Sequence, residues 1–202
     1  NLDIADLNTD DALAEIKSLR NDVILTVSYG NFIPEKILDL AAIETLNIHP
    51  SLLPKWRGAT PMQTSILNGD KETGISIIRM TGKLDAGPVF ISEKVSMSDR
   101  ENHQTLSNKL SLLSAEMIRK HLGNILSGKI HPKEQQDEKA SFCTKISKAD
   151  GEINWNKSAK EINRAIKAYN PWPIAYTYID NKYLRLWDSA IENNESQTGI
   201  PG

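Results

Sequence analysis

The sequence has 202 residues, enough for one large domain and a second, smaller one. Hydrophobic residues at 39% and charged residues at 25% are typical of a globular cytoplasmic protein, and no apolar run approaches the roughly 20 residues that span a bilayer, which argues against an integral membrane protein. The formal net charge is −2, and the single cysteine, Cys143, excludes an internal disulfide framework.

The first half of the chain alternates predicted helices and strands. Residues 8–16 have the composition of a capped helix, and residues 23–27 form an apolar, β-branched run typical of a strand buried on both faces of a parallel sheet. A second helix is predicted at 35–40, with Pro34 in its first turn, and a second strand at 45–48. This alternation builds βαβ units, so we predict an α/β fold with a Rossmann-like parallel or mixed sheet flanked by helices.

The middle of the chain continues the pattern. A short helix is predicted at 61–67, a strand at 74–80 and extended chain at 88–97. The longest helix, 104–126, has apolar residues at helical spacing that can cover a sheet face. The polar, charged stretch 128–141 has the composition of a linker.

A second unit follows this linker. Ser158 and Glu161 form a capping box at the start of a helix, and alternating residues in 175–179 and 183–187 predict a β-hairpin. The predicted boundaries are a larger domain at 1–127, a linker at 128–141 and a C-terminal domain at 142–202.

Asn47 and His49 lie two residues apart at the end of a predicted strand, so both side chains point to the same side of the sheet. The prolines and glycine of residues 50–61 fix a loop at the carboxyl edge of that sheet, where open α/β sheets bind ligands. An isolated pair of this kind is more often structural than catalytic, so both interpretations stay open on the pair alone. No cluster of Cys and His has the spacing of a zinc site, and we expect no metal.

Two motifs resolve this choice. Residues 46–54, Leu-Asn-Ile-His-Pro-Ser-Leu-Leu-Pro, resemble the signature of the 10-formyltetrahydrofolate-dependent formyltransferases, and residues 84–88, Leu-Asp-Ala-Gly-Pro, resemble its second half. In the second unit, residues 153–155 and 168–173 resemble the C-terminal domain of the methionyl-tRNA formyltransferases within that family. The resemblance runs along nearly the whole chain and implies that the second unit is part of an OB-like β-barrel.

The resemblance implies a reaction in which an amine attacks the formyl carbon of the folate, an oxyanion develops on the formyl oxygen and a proton leaves the amine. It assigns catalysis to Asn47, His49 and Asp85. The amide of Asn47 can donate a hydrogen bond to the oxyanion. We expect Asp85 to raise the pKa of His49, so that an imidazolium donates a second hydrogen bond while Asp85 passes protons through a bound water.

The same resemblance implies that 10-formyltetrahydrofolate, as formyl donor, contacts two segments. Main-chain groups there can read the edge of the pterin, and apolar side chains can wall its faces. The cofactor-binding residues predicted in this way are Tyr29, Gly30, Asn31, Phe32, Ile33, Ser51, Leu52, Leu53 and Pro54.

The implied partner is initiator methionyl-tRNA, with a role in translation initiation, and we expect a monomer. Residues 143–187 carry eight lysines or arginines against four acids, a local net charge of +4 that phosphate backbones attract. A scattered excess of this size is also common on solvated surfaces, so both interpretations remain. The predicted tRNA-binding residues are Lys55, Arg57, Lys157, Lys160, Arg164 and Lys167.

Four alternatives remain at this point. A UDP-amino-sugar formyltransferase shares the catalytic pattern, although residues 56–61 resemble the tRNA enzyme more closely. A glycinamide ribonucleotide formyltransferase accounts only for the first domain, and a formyltetrahydrofolate hydrolase would use water as acceptor. A non-catalytic folate-binding or tRNA-binding remnant is the fourth alternative.

The sequence departs from the family pattern at both ends. The first strand, the glycine-containing turn and the first βαβ crossover of the family are lacking in this sequence, so we expect an incomplete sheet. Residues 198–202 have the composition of a loop, and we expect the C-terminal barrel to be cut short at Gly202.

Overall fold

The computed structural model describes residue 4 and residues 6–192, so the loop predicted at 198–202 lies outside the described residues. The helices are α1 (Asp10–Ser18), α2 (Glu35–Leu38), α3 (Pro61–Asn68), α4 (His103–Leu126) and α5 (Ala159–Ala168). The strands are β1 (Val23–Val27), β2 (Glu44–His49), β3 (Arg57–Gly58), β4 (Glu72–Arg79), β5 (Val89–Ser96), β6 (Phe142–Cys143), β7 (Ala175–Ile179) and β8 (Lys182–Leu186).

A four-stranded mixed sheet in the order β1-β2-β4-β5 forms the centre of the first unit. β1 and β2 are parallel and joined through α2, which is the βαβ arrangement that the sequence predicts. β4 is antiparallel to both β2 and β5. The prediction of an α/β fold with a mixed sheet flanked by helices is therefore confirmed.

The main core lies between this sheet and α4. Leu106, Leu110 and Met117 of α4 are fully buried and belong to one cluster with Ile75 and Ile77 of β4. Full burial of such side chains contributes about 1.5–3 kcal/mol each. α4 thereby holds the central strands in register, and with them the carboxyl end of β2.

One prediction for β1 was wrong. The apolar run indicated a strand buried on both faces, but Leu25 is 40% exposed and Val27 is 52% exposed. Within residues 6–192 no strand pairs with the outer edge of β1, and this open edge leaves its side chains accessible.

The polar stretch predicted as a linker packs against the first unit along its second half. Val89 and Lys133 exchange two backbone hydrogen bonds, and β6 pairs in parallel with β3. We call residues 133–143 the strap. The strap crosses the loop after β2 and the loop before β5, which adjoin or carry the predicted catalytic residues.

The second unit begins with a short turn and α5, whose capping box at Ser158 and Glu161 is formed as predicted. α5 packs against α3, and its last residue, Ala168, is part of the main core. β7 and β8 form the predicted antiparallel hairpin. A closed barrel beyond this hairpin stays a prediction.

Candidate active site

The three predicted catalytic side chains meet at the carboxyl end of β2. Asn47 and His49 are on β2, and Asp85 comes from the loop between β4 and β5. Asn47 Nδ2 lies 3.3 Å from Asp85 Oδ1, and His49 Nδ1 lies 3.6 Å from the same oxygen. Asp85 is thus the residue that the other two share.

Asp85 is held in an unusual backbone conformation. Its φ of +47° lies in the left-handed region, which few non-glycine residues occupy. The backbone N–H of Gly58 donates a 2.9 Å hydrogen bond to Asp85 Oδ2, and the side chain is only 11% exposed. One carboxylate oxygen is therefore fixed by main chain, while the other faces Asn47 and His49.

The orientation of the Asn47 amide follows from its neighbours. Asn47 Oδ1 accepts a 3.0 Å hydrogen bond from the hydroxyl of Thr26, and Nδ2 donates to Asp85. The reverse orientation would set Oδ1 against an ionised carboxylate. An amide nitrogen has two N–H donors, so one donor of Asn47 is left for a ligand.

The tautomer of His49 is also determined. Nε2 lies 2.9 Å from the carbonyl oxygen of Trp56, and because a carbonyl only accepts, Nε2 carries a proton. Nδ1 is consequently the nitrogen that gains and loses a proton, and it faces Asp85. Both ring nitrogens of His49 therefore have protein partners, and the predicted hydrogen bond from His49 to an oxyanion has no free donor.

The expected direction of the His49 pKa was wrong. Burial lowers the pKa of His49 below its ordinary value, and the charge of Asp85 and the hydrogen bond to Trp56 oppose this effect without overcoming it. The ring is 3% exposed, so water cannot solvate an imidazolium there. The neutral form of His49 is the one favoured at neutral pH.

A cavity of about 220 Å³ opens beside Asn47 and Asp85. Four of the predicted cofactor residues, Tyr29, Asn31, Phe32 and Ile33, line it, and Gly30 lies in the same segment. Phe32 is 68% exposed, so it forms an accessible apolar wall and is not core packing. The volume suits a ring system rather than a whole drug-sized ligand.

The second predicted cofactor segment lies elsewhere. Ser51 is buried, and its hydroxyl donates to the carbonyl oxygen of Lys55, so its side chain is not available to a ligand. Leu53 and Pro54 line a separate surface groove beside the strap, and Leu52 packs near Gly74. In this structure residues 51–54 shape the loop that carries Trp56 and do not line the cavity.

The six predicted tRNA-binding residues divide into three groups. Arg57 needs a correction, because its guanidinium is 5% exposed and donates to Gln135 and Asp137, which leaves no cation for a phosphate. Arg164 and Lys167 contact carbonyl oxygens of Asn68 and Asp99 in the first unit. The other three are exposed: Lys157, Lys160 and Lys55, whose Nζ lies 2.8 Å from Asp70 Oδ2.

Two residues of the site were missed by sequence reasoning. Thr26 orients Asn47, and Gln135 donates to the backbone carbonyls of Asp85 and Gly87. Thr26 is a polar residue in an otherwise apolar strand, and this exception in the pattern could have indicated a role at the site. Gln135 lies in a polar stretch without any distinguishing pattern, so no signal was available.

No group of three His, Cys, Asp or Glu side chains among residues 4 and 6–192 is arranged to hold a metal ion. In the same described part of the chain, every helix is too short or too polar to cross a membrane.

Comparison with known proteins identifies the family. The formyl transferase family matches residues 2–122, and the formyl transferase C-terminal domain matches residues 145–202. The chain belongs to the formyl transferase family.

Its relatives include several methionyl-tRNA formyltransferases. The chain is 40% identical over 188 residues to that of Wigglesworthia glossinidia brevipalpis, covering 93% of this chain and 59% of the relative. It is 41% identical over 194 residues to that of Buchnera aphidicola subsp. Acyrthosiphon pisum (strain APS), covering 94% of this chain and 62% of the relative. The chain therefore spans about three fifths of the length of the curated relatives that it matches.

Solved structures share the fold. A methionyl-tRNA formyltransferase from Clostridium thermocellum matches with a TM-score of 0.70 at 20% identity, covering 93% of this chain and 81% of that chain. A sugar N-formyltransferase from Shewanella sp FDAARGOS_354 gives 0.75 at 19%, covering 93% and 77%. HypX from Aquifex aeolicus in complex with tetrahydrofolic acid gives 0.77 at 22%, covering 95% and 33%. At these identities the likeness concerns the fold and does not distinguish acceptors.

Proposed function

We propose that this chain carries the catalytic site of a methionyl-tRNA formyltransferase, which transfers the formyl group of 10-formyltetrahydrofolate to the amino group of methionyl-tRNA for translation initiation. The observation that carries the proposal is the meeting of Asn47, His49 and Asp85 at the carboxyl end of β2, where Asn47 and Asp85 line one cavity and buried His49 lies behind Asp85. The names of the relatives at 40–41% identity support this acceptor over the others.

In the proposed mechanism the cavity beside Asn47 takes the ring end of the folate. Tyr29, Asn31 and Phe32 supply its walls, and the formyl group lies next to Asn47. The N–H of Asn47 that is not spent on Asp85 donates to the developing oxyanion. Loss of one such donor costs on the order of 10²–10³ in rate.

Asp85 and His49 handle the proton that the attacking amine releases. The carboxylate oxygen of Asp85 that faces Asn47 accepts the proton, and neutral His49 offers the Nδ1 lone pair 3.6 Å away as a second acceptor. The pair then returns the proton to the folate nitrogen that leaves. Because His49 begins neutral, the pair can hold one additional proton, and the charge of an imidazolium formed there would be balanced by the Asp85 carboxylate.

We propose the domain division at residues 1–127, 128–141 and 142–202, in which the last part contributes to tRNA binding. A UDP-amino-sugar formyltransferase is the second candidate, since the motifs that carry Asn47, His49 and Asp85 resemble the catalytic pattern of that class too.

Substitution of the three residues tests the proposal. In the full-length protein, we expect Asn47→Ala, His49→Ala and Asp85→Ala each to lower kcat for formylation of methionyl-tRNA by at least about 10²-fold. Asn47 and Asp85 line the cavity, and His49 shares the transferred proton with Asp85. Asn108→Ala and His131→Ala, at exposed positions, serve as controls and should retain normal rates. Preferential turnover of a UDP-amino sugar would assign the acceptor to the second candidate.

A further inference from the structure

Gln135 is the one strap residue whose side chain bonds to the Asp85 loop from behind. Its Nε2 lies 2.8 Å from the carbonyl oxygen of Asp85 and 2.7 Å from that of Gly87. Its Oε1 lies 3.0 Å from Arg57 Nε and 2.8 Å from Arg57 Nη2. One side chain therefore connects the catalytic loop to the loop after β2.

The orientation of this amide is fixed by its partners. Backbone carbonyls only accept and a guanidinium only donates, so Nε2 must face Asp85 and Gly87 while Oε1 faces Arg57. Both N–H donors of Gln135 are then used on the two carbonyl oxygens. The amide is half-buried, where hydrogen bonds of this kind are costly to leave unmade.

Arg57 completes the connection. Its buried guanidinium also pairs with Asp137 of the strap at 2.7 Å, and its backbone N–H donates to the carbonyl oxygen of Ser141. The next residue, Gly58, donates its N–H to Asp85 Oδ2. The strap thus holds Asp85 through both its main chain and its carboxylate.

We propose that Gln135 is a positioning residue for formyl transfer, which holds the Asp85 loop in its left-handed backbone conformation and so aims the carboxylate at Asn47 and His49. The expected effect on kcat rests on the proposed function. Gln135 itself touches no reacting atom. On this view Gln135 belongs to the catalytic apparatus, so the stretch predicted as a linker is more than a passive connection between units.

Two substitutions of Gln135 separate its bonds. Gln135→Glu keeps the volume and the acceptor for Arg57 but removes both donors to the carbonyl oxygens. Gln135→Met is nearly isosteric, introduces no charge and removes all four contacts.

In the full-length protein we expect both variants to lower kcat about 10- to 100-fold while KM for the folate changes less than about twofold, since a small misplacement of a catalytic group acts on the chemical step. Gln136→Glu and Gln136→Met make the same changes at the exposed neighbouring residue and should match the wild type.

Hydrogen exchange of the Gly58 amide gives a readout that does not depend on activity. If Gln135 positions Asp85, its loss frees the carboxylate from the Gly58 N–H, and this amide loses protection while the amides of β4 keep theirs. Equal loss of protection in β4, or unchanged kcat and Gly58 exchange in both variants, would overturn the proposal. Absence of formyl transfer in the wild type would instead count against the proposed function, and Gly58 exchange would still decide the role of Gln135.

Discussion

His49 and Asp85 form a buried contact in which burial outweighs charge. The imidazole loses more from exclusion of water than it gains from Asp85, so its pKa lies below the ordinary value. Since the folded protein binds this proton less readily than the unfolded chain, His49 contributes stability at pH above its ordinary pKa of about 6.5. That contribution is lost as pH falls below this value towards the lowered pKa.

The substitution Asp85→Asn tests the sign of the interaction. Burial lowers the pKa of His49, and the negative charge of Asp85 is the main effect that raises it. Without that charge, we expect the pKa of His49 to fall further. An NMR titration of the His49 ring nitrogens measures this change directly, with His131, which is exposed, as an internal reference. A rise in the His49 pKa, or no change, would show that Asp85 does not act on the ring by its charge.

Some features of the site could be predicted from the sequence, and others could not. The meeting of Asn47, His49 and Asp85 in one place could be predicted because two local motifs carry them. The burial of Arg57 could not be foreseen, because its partner Gln135 is 78 residues away in the sequence. The direction of the His49 pKa likewise depends on the depth of burial, which no local pattern encodes.

At the scale of elements, the helices and the longer strands of the first unit were predicted to within a few residues, because their residues show a periodicity or a helix-start signal. The two-residue strands β3 and β6 were not predicted. They contain too few residues for any periodicity, and they form only because the strap returns to the loop after β2. The exposure of β1 was missed for a related reason, because the residues of a strand do not reveal which strands or helices pack beside it.

Helix α4 allows a test of its ends and interior within one element. The Asn102 side chain accepts from the Thr105 N–H, and the Thr105 hydroxyl accepts from the Asn102 N–H. We therefore expect Asn102→Ala to lower the free energy of unfolding by about 1 kcal/mol. Gly123 is exposed, and a Cβ there would meet nothing within 4 Å, so Gly123→Ala should raise the same free energy by up to about 1 kcal/mol. Urea unfolding followed by circular dichroism measures both. Changes of the same sign would contradict this account of the helix.

At the scale of the whole molecule, Lys157 and Lys160 are exposed on the second unit, whereas Arg164 and Lys167 contact the first. If the exposed pair contacts phosphates, Lys157→Glu with Lys160→Glu should raise KM for tRNA and flatten its dependence on salt, because fewer counterions are released. The rate at saturating tRNA should change less.

Lys17→Glu with Lys129→Glu makes the same change in net charge at exposed positions on α1 and after α4 and serves as the control. The proposed contact of Lys157 and Lys160 with tRNA would be contradicted if their substitution left the salt dependence of KM for tRNA unaltered, or if the control altered it equally.

The strap also sets the order in which the molecule can assemble. The bonds from Arg57 to Gln135 and Asp137 close loops of 78 and 80 residues, and contacts this distant in sequence form late because the chain between them must be ordered first. The sheet and α4, whose contacts are nearer in sequence, can form before them. During synthesis, the carboxylate of Asp85 would therefore remain unaligned until the strap has left the ribosome, so the nascent chain brings Asp85 against Asn47 and His49 as one of its last folding events.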